Sequence, residues 1–427
     1  MVTAPTPFKD LKVCSPDTTR PFAWPEINAE HPDNQTEKFP LINKAIILAA
    51  GRGTKLQPLT TGTPKPMIPL LGKPVMAYIV EHLVRQGITE IMVNTSHFGH
   101  HIEQYFGDGR RFGVHIGYSF EGHIKDGHSV PEPMGSAGAL RNIHKLGGFI
   151  DETTAVLGGD AVVDIKLQAA AATHRAQGAI ASVITREVAE KEVSNYGIVL
   201  SDAEGRVNLF QEKPAAHQAL SRQASTGIYL IEPEVLAHIP AHGMYDISRE
   251  LFPALVNQGL PFFAQSHSFE WLDIGHLSDY WQVVQRMMLG QVACVTLPGQ
   301  QMLPGVHVGL NTRVAWDTVQ FEGPVYIGSG SRIDAGCVLR GPLWIGNGCH
   351  VEAGAVVERS VLFDYAKVGA GTKAAEALVS HTFCVSKDGR IEQGGSVPDN
   401  ERSWDFDQEP PPGSVLNLSG VQPHWIN

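Results

Sequence analysis

Cysteine is scarce in this chain: Cys14, Cys294, Cys337, Cys349 and Cys384 are the five in 427 residues, and no two are spaced as CxxC. That spacing excludes a disulfide scaffold and a cysteine-ligated structural zinc, and it predicts reduced thiols in a cytoplasmic protein. Long apolar runs are missing as well. Nowhere do about 18 apolar residues follow one another, the length a membrane-spanning helix needs. The N-terminal stretch "MVTAPTPFKDLKVCSPDTTRPFAW" has no basic segment followed by an apolar core, so neither a secretory leader nor a membrane span is expected. Excess positive charge is absent too, since 33 basic residues against 44 acidic ones give a net charge of −11. No basic field is available for nucleic acid or an anionic membrane, and any anionic ligand has to be met by local groups. What is present is 43% hydrophobic and 18% charged, an ordinary composition in a chain long enough for two or three domains.

Four zones follow from patterning. Residues 1–42 are rich in Pro, Thr, Asp and Asn without periodicity, which predicts an irregular arm. From "KAIILAA" onward, short apolar runs alternate with amphipathic stretches. "AIILAA", "EIMVNTS", "TTAVLGG" and "IASVITREV" read as buried strands, and "KLQAAAATHRAQG" and "HLSDYWQVVQRMMLG" as helices. "PVMAYIVEHLVRQ" places Val75, Met76, Ile79, Val80, Leu83 and Val84 on one helical face. This alternation predicts an α/β layered domain with a mostly parallel sheet over residues 43–291.

A different period governs residues 300–392. Ile327, Ile333, Leu339, Ile345, Val351 and Val357 recur at steps of six, often beside glycine or another small residue. A step of six is neither helical nor that of a flat strand; it is the spacing of a parallel β-helix, whose coils stack one apolar side chain per face. The competing reading is a Gly-rich antiparallel meander. The phase slips by one residue at Leu362 and Val368, where the solenoid is expected to deform. Residues 393–427 return to a Pro-rich polar composition and are expected to form a tail.

"LAAGRGTKLQPLT" (48–60) is a strand end followed by a Gly-rich turn, which presents backbone N–H groups to phosphate oxygens. It is not a P-loop, because no G-x-x-x-x-G-K-[ST] occurs, and the dinucleotide fingerprint fails at Leu56 after starting at Gly51 and Gly53. Downstream, Lys65 and Lys73 each precede a proline that stiffens the local backbone. Either can hold an ammonium in place for a phosphate, or serve solubility alone.

Together with "PKPMIPLLGKP", this loop resembles the signature of the sugar-1-phosphate nucleotidyltransferases, the nucleoside-diphosphate-sugar pyrophosphorylases. "EPMGSAGAL", "LGGDAVVD", "NYGIV", "FQEKP", "STGIYLIEPEVL" and "WLDIG" follow in family order, so the likeness spans most of residues 44–370. It is nearest to mannose-1-phosphate guanylyltransferases and to a cyanobacterial type of UDP-glucose pyrophosphorylase. The resemblance implies a Rossmann-like nucleotidyltransferase domain followed by a left-handed parallel β-helix of hexapeptide repeats. It also implies the reaction: a hexose 1-phosphate attacks the α-phosphorus of a nucleoside triphosphate, and pyrophosphate leaves. By the same resemblance, Leu48, Ala49, Ala50, Gly51, Gly53, Thr54 and Lys55 hold the nucleotide, with Gly135 and Ser136 closing over the base. Lys55 and Lys65 act on the phosphates, and Asp160 and Asp273 bind Mg2+. Gly197, Glu212, Lys213, Thr226 and Gly227 receive the sugar phosphate. The loop "EPMGSAGAL" leans towards GTP and mannose 1-phosphate, with UTP and glucose 1-phosphate as the alternative. No nucleic acid or membrane partner is expected, and the open ends of a short β-helix suggest a homo-oligomer.

One position departs from the family pattern G-x-G-T-R-L: Lys55 stands where that pattern has arginine. A point charge replaces a planar fork, and losing one bidentate phosphate contact costs on the order of 10²-fold in rate. A weakly active regulatory subunit that binds nucleotide sugar is therefore a competing expectation. A third is an additional acyl transfer on the β-helix, for which His350 or His381 is the candidate base.

Overall fold

β1 (Lys44–Leu48) is apolar on both faces: Ala45 and Ile47 bury against one side and Ile46 against the other. Such a strand needs helices above and below, which a parallel sheet in an α/β domain supplies. The computed structural model describes residues 41–125, 128–386 and 390–393, so the expected arm and tail lie almost wholly outside the described residues.

Parallel to β1 run β2 (Glu90–Thr95) on one side and β4 (Thr154–Gly158) on the other, with β3 (His115–Phe120) parallel beyond β2. β8 (Gln223–Ile231) lies antiparallel to β4 and also borders β5 (Ala181–Glu187) and β6 (Gly197–Ser201). β7 (Val207–Glu212) joins β6 antiparallel, and β9 (Phe262–Ser266) joins β5 in parallel. Ala45, Ile47, Ala155 and Leu157 pack on α1 (Val75–Arg85), α2 (Gly99–Phe106) and α4 (Leu167–Ala176). On the opposite face, Ile46 and Val156 pack on α3 (Ser136–Gly147) and α5 (Phe252–Asn257).

The single apolar stripe expected of α1 is too narrow. Ala77, Tyr78 and His82 are buried alongside the expected residues, while Val84 is only half-buried. The reason is a third layer: Val75 and Tyr78 face a second core formed with α6 (Leu277–Met288) and the C-terminal region.

That C-terminal region is a β-helix of stacked parallel strands, as the six-residue period requires and an antiparallel meander would not allow. Val325–Ile327, Leu343–Ile345 and Val361–Leu362 stack on one face, and Arg332–Ile333, His350–Val351 and Lys367–Val368 on a second. Val338–Arg340, Val356–Glu358 and Lys373–Ala375 form the third. All six hexad residues are at most 2% exposed. The phase slip does not break a ladder. Ile345 pairs with Leu362 and Val351 with Val368, so the coil is shortened and the missing residue is absorbed at the corner after Glu358. There Arg359 adopts φ 42°, Glu376 one coil on adopts φ 49°, and the two side chains pair at 2.8 Å. Trp281 of α6 donates its indole N–H to the Arg359 carbonyl at 3.1 Å, so the tightened corner lies against the α/β layers.

Candidate active site

The C-terminal ends of β1 and β4 carry the site. Beyond β1, the Ala49 N–H is held by the Asn94 side-chain carbonyl at 2.7 Å and the Asn94 backbone carbonyl at 3.2 Å. The next N–H groups, from Ala50 to Lys55, have no acceptor among the described residues. A run of free donors of this kind is what an anion cradle requires. Gly53, at φ 65°, is required here: a Cβ would come within 2.9 Å of Lys65 Cβ. The Leu48 carbonyl accepts from Gly159 N–H at 2.9 Å, which ties the cradle to the turn bearing Asp160. Thr54 and Lys55 are exposed, and Lys55 has no partner among the described residues.

The two prolyl-flanked lysines separate cleanly. Lys65 Nζ bonds to Asp160 Oδ2 at 2.5 Å, whereas Lys73 Nζ pairs with both oxygens of Glu81 at 2.6 and 2.7 Å and lies 4.0 Å over the Tyr78 ring. Lys73 is framework; Lys65 belongs to the site.

Asp160 lies two residues beyond the end of β4, and the strand after it, Ala161–Val163, pairs antiparallel with Trp271–Asp273, placing Asp273 opposite Ala161. Residues more than a hundred positions apart thus converge. Burial first, then the negative charge of Asp160, pushes the Asp273 carboxyl up to about 6, against the pull of Lys65. Burial opposes the Lys65 charge, but Asp160 and Asp273 outweigh it and hold its pKa above the ordinary value. Two carboxylates against one ammonium leave negative charge uncompensated in a half-buried place, and hard oxygen donors of this kind suit a divalent cation. No group of three or more His, Cys, Asp or Glu able to hold a metal occurs among the described residues, so such a cation would complete its shell with substrate oxygens and water.

Beside these acids is a cavity of about 200 Å³ lined by Asp160, Asp273, Gly197, Glu212, Lys213, Thr226 and Gly227. Gly197 sits opposite Glu212 in the β6–β7 register, and a Cβ there would strike Phe210 at 2.6 Å. Burial raises the Glu212 carboxyl, with Lys213 opposing. Thr226 donates its hydroxyl to the Ile184 carbonyl at 2.9 Å, so its hydroxyl proton is already engaged. Gly227 holds φ 74° with open space where a Cβ would be.

Gly135 and Ser136 are placed elsewhere. Gly135 has φ 74°, and a Cβ would meet the Tyr245 carbonyl at 2.5 Å. Ser136 opens α3 as expected, but its hydroxyl donates to Asp246 at 2.8 Å and accepts from Ile247 N–H at 2.8 Å. Both are therefore engaged with segment 245–247 and do not line the cavity.

Sequence reasoning missed two features. Asn94, which anchors Ala49, donates to Glu121 at 2.5 Å, and Glu121 also accepts from Met134 N–H at 3.4 Å, so one buried pair joins the cradle to the loop before Gly135. A polar residue ending the strand "EIMVNTS" was the available signal. The Tyr196 and Trp271 rings pack at 4.9 Å in the cavity wall, and both stand inside the strings "NYGIV" and "WLDIG" without having been singled out. On the β-helix, His350 pairs with Asp334 of the preceding coil at 2.8 Å, and Asp334 is also held by Arg332. That is an inter-coil brace, and His381 is exposed.

The profile of the nucleotidyl transferase family matches residues 44–288, more than half of the chain. The chain belongs to that family. A bacterial transferase hexapeptide profile (six repeats) matches residues 324–359. Among named relatives, the UTP–glucose-1-phosphate uridylyltransferase of Synechocystis is 48% identical over 346 residues, 81% of this chain and 89% of that protein. The mannose-1-phosphate guanylyltransferase of Mycobacterium tuberculosis is 30% identical, covering 69% of this chain and 82% of its own length. Mannose-1-phosphate guanyltransferase beta-B of Xenopus laevis is 32% identical, covering 56% and 62%. The chain is thus an enzyme of nucleotide-sugar synthesis, a sugar-1-phosphate nucleotidyltransferase with a hexapeptide-repeat region. Among its described residues no helix is long and apolar enough to cross a membrane.

Proposed function

We propose that the enzyme joins UTP to glucose 1-phosphate, forming UDP-glucose and pyrophosphate. The observation behind this choice is the uridylyltransferase likeness, which is stronger in identity and wider in coverage than the guanylyltransferase likenesses. It takes precedence over the lean to GTP and mannose 1-phosphate drawn from one loop.

In this reading the free N–H groups of Ala50 to Lys55 bind the triphosphate, and the Lys65 ammonium neutralises its oxygens. Glu212 accepts hydrogen bonds from sugar hydroxyls, and Lys213 meets the sugar phosphate. Gly197, Thr226 and Gly227 let substrate come close to backbone. A phosphate oxygen of the sugar forms a bond to the α-phosphorus as the bond to the bridging oxygen of pyrophosphate breaks. The attacking oxygen is already anionic, so no side chain has to remove a proton; positioning and charge neutralisation are the protein's part. Mg2+, held by Asp160 and Asp273, would supply further neutralisation of the phosphate oxygens.

The test is pyrophosphate release with Mg2+ across a panel of triphosphates and sugar 1-phosphates. We expect kcat/KM for UTP with glucose 1-phosphate to exceed that for GTP with mannose 1-phosphate by at least about tenfold. The reverse order would restore the guanylyl assignment, and no release with any pair would leave a binding subunit. We also infer a homo-oligomer, because the first coil of the β-helix leaves Leu310 and Trp316 exposed beside the edge strands Arg313–Val314 and Gln320–Glu322. Light scattering giving a monomer mass would refute it.

A further inference from the structure

The cradle contains a second cation that the family pattern does not single out. Arg52 lies among the free N–H donors, four residues beyond the end of β1, and its Nε donates to His97 Nε2 at 2.8 Å. No other partner takes the guanidinium among the described residues, so both Nη groups remain available. His97 is itself well placed to aim it. It follows β2, whose Asn94 is in register with Leu48 of β1, so the loops that carry Arg52 and His97 leave neighbouring strands at the same end of the sheet. The turn behind His97 is tight: Gly99 N–H bonds to the Ser96 carbonyl at 3.1 Å, Phe98 has φ 55°, and a Cβ on Gly99 would meet Thr95 at 2.9 Å. Partial burial, and then the Arg52 charge, lower the His97 pKa, which keeps its ring neutral and the Nε2 lone pair free to accept. Lys55, by contrast, is exposed with nothing to orient it among the described residues.

We propose that Arg52, aimed by His97, grips the triphosphate and supplies the planar guanidinium fork that Lys55 cannot. The assignment rests on the reading of residues 50–55 as the triphosphate cradle. An oriented guanidinium offers two parallel charge-assisted hydrogen bonds to adjacent phosphate oxygens and loses little side-chain freedom on binding, because His97 has already restricted it. Arg52 is thus a catalytic residue and His97 a positioning residue.

Steady-state kinetics with UTP and glucose 1-phosphate, alongside thermal melts, test the pair. Arg52→Ala is expected to lower kcat/KM about 10²-fold with the melting midpoint unchanged. Adding Lys55→Arg to that variant should recover about tenfold, since an arginine then stands three residues on in the same loop. His97→Ala should raise KM for UTP, and His97→Gln, whose side-chain oxygen can accept from Arg52 Nε, should restore it; a purely structural role for His97 would not show that rescue. The proposal is overturned if Arg52→Ala stays within about threefold of the parent. Lys65→Ala is the control: if it abolishes turnover while Arg52→Ala does not, only the Arg52 assignment falls, and if neither matters the cradle reading itself is wrong.

Discussion

Asp273→Asn is expected to lower turnover about 10³-fold while the metal-free protein becomes slightly more stable. The two effects have one origin. Asp273 is held opposite Ala161 by a short antiparallel strand pair, next to Asp160, with a single ammonium, Lys65, shared between them. A divalent cation would resolve this crowding; without one, the fold carries the cost. Because burial and Asp160 raise the Asp273 carboxyl from 3.8 to about 6, the folded protein loses stability as pH rises through that window, and above it the penalty is complete. At neutral pH the penalty is on the order of 1–3 kcal/mol, and asparagine removes it while keeping the shape of the side chain. Differential scanning calorimetry in chelator should therefore show the variant melting above the parent, while pyrophosphate release with Mg2+ is nearly lost. A variant that keeps a tenth of the parent's activity, or that melts lower without metal, would remove Asp273 from the role assigned to it.

Much of this site could be read in advance because its residues sit at strand ends within recognisable strings, and the sheet then brings strand ends together. Asp160 and Asp273 illustrate this: the family resemblance of the strings around them singled out both, and the register between Ala161–Val163 and Trp271–Asp273 brings them together. The β-helix was legible for a similar reason, since a period of six is set by covalent spacing alone. What stayed hidden depends on neighbours distant in sequence. Lys65 and Lys73 look alike, each before a proline, yet one meets Asp160 and the other Glu81. The second buried face of α1 exists only because α6, some two hundred residues later, covers Tyr78. Asn94 and Glu121 reveal their role only as a pair, and Gly135 and Gly197 owe their lack of a side chain to Tyr245 and Phe210 pressing against them. The shortened coil shows up in sequence as a phase slip between Val357 and Leu362, but that its corner at Arg359 accepts a hydrogen bond from Trp281 could be seen only in the fold.

That junction leads to the largest stability effect expected, from Trp344→Ala. Trp344 is 6% exposed, stacks on Tyr326 with ring centroids 4.0 Å apart and planes 14° apart, and touches the turn at Gly72, where a Cβ would lie 3.4 Å from it. It belongs to one apolar core that includes Tyr78 of α1, Tyr280 and Val284 of α6, and Phe383 of the C-terminal region. Removing the indole empties the middle of that core, and a Trp-to-Ala change in a buried place costs about 3–5 kcal/mol. Phenylalanine, which keeps most of the stacking, should cost far less. Because the core is shared, the α/β layers and the β-helix should melt in one transition in the parent, with a lower midpoint but the same cooperativity in the variant. The site should also respond. Gly72 lies in the turn between the paired segments Pro69–Leu70 and Lys73–Pro74, just after Lys65, and Tyr280 donates its hydroxyl to the Pro69 carbonyl at 2.7 Å, so a void here loosens the backbone that presents the Lys65 ammonium to Asp160. Activity below the melting range is accordingly expected to fall with the stability, and to recover in Trp344→Phe. Two separate transitions in the parent, or a loss below about 1 kcal/mol in the alanine variant, would mean that the β-helix is appended to the catalytic layers and does not brace them.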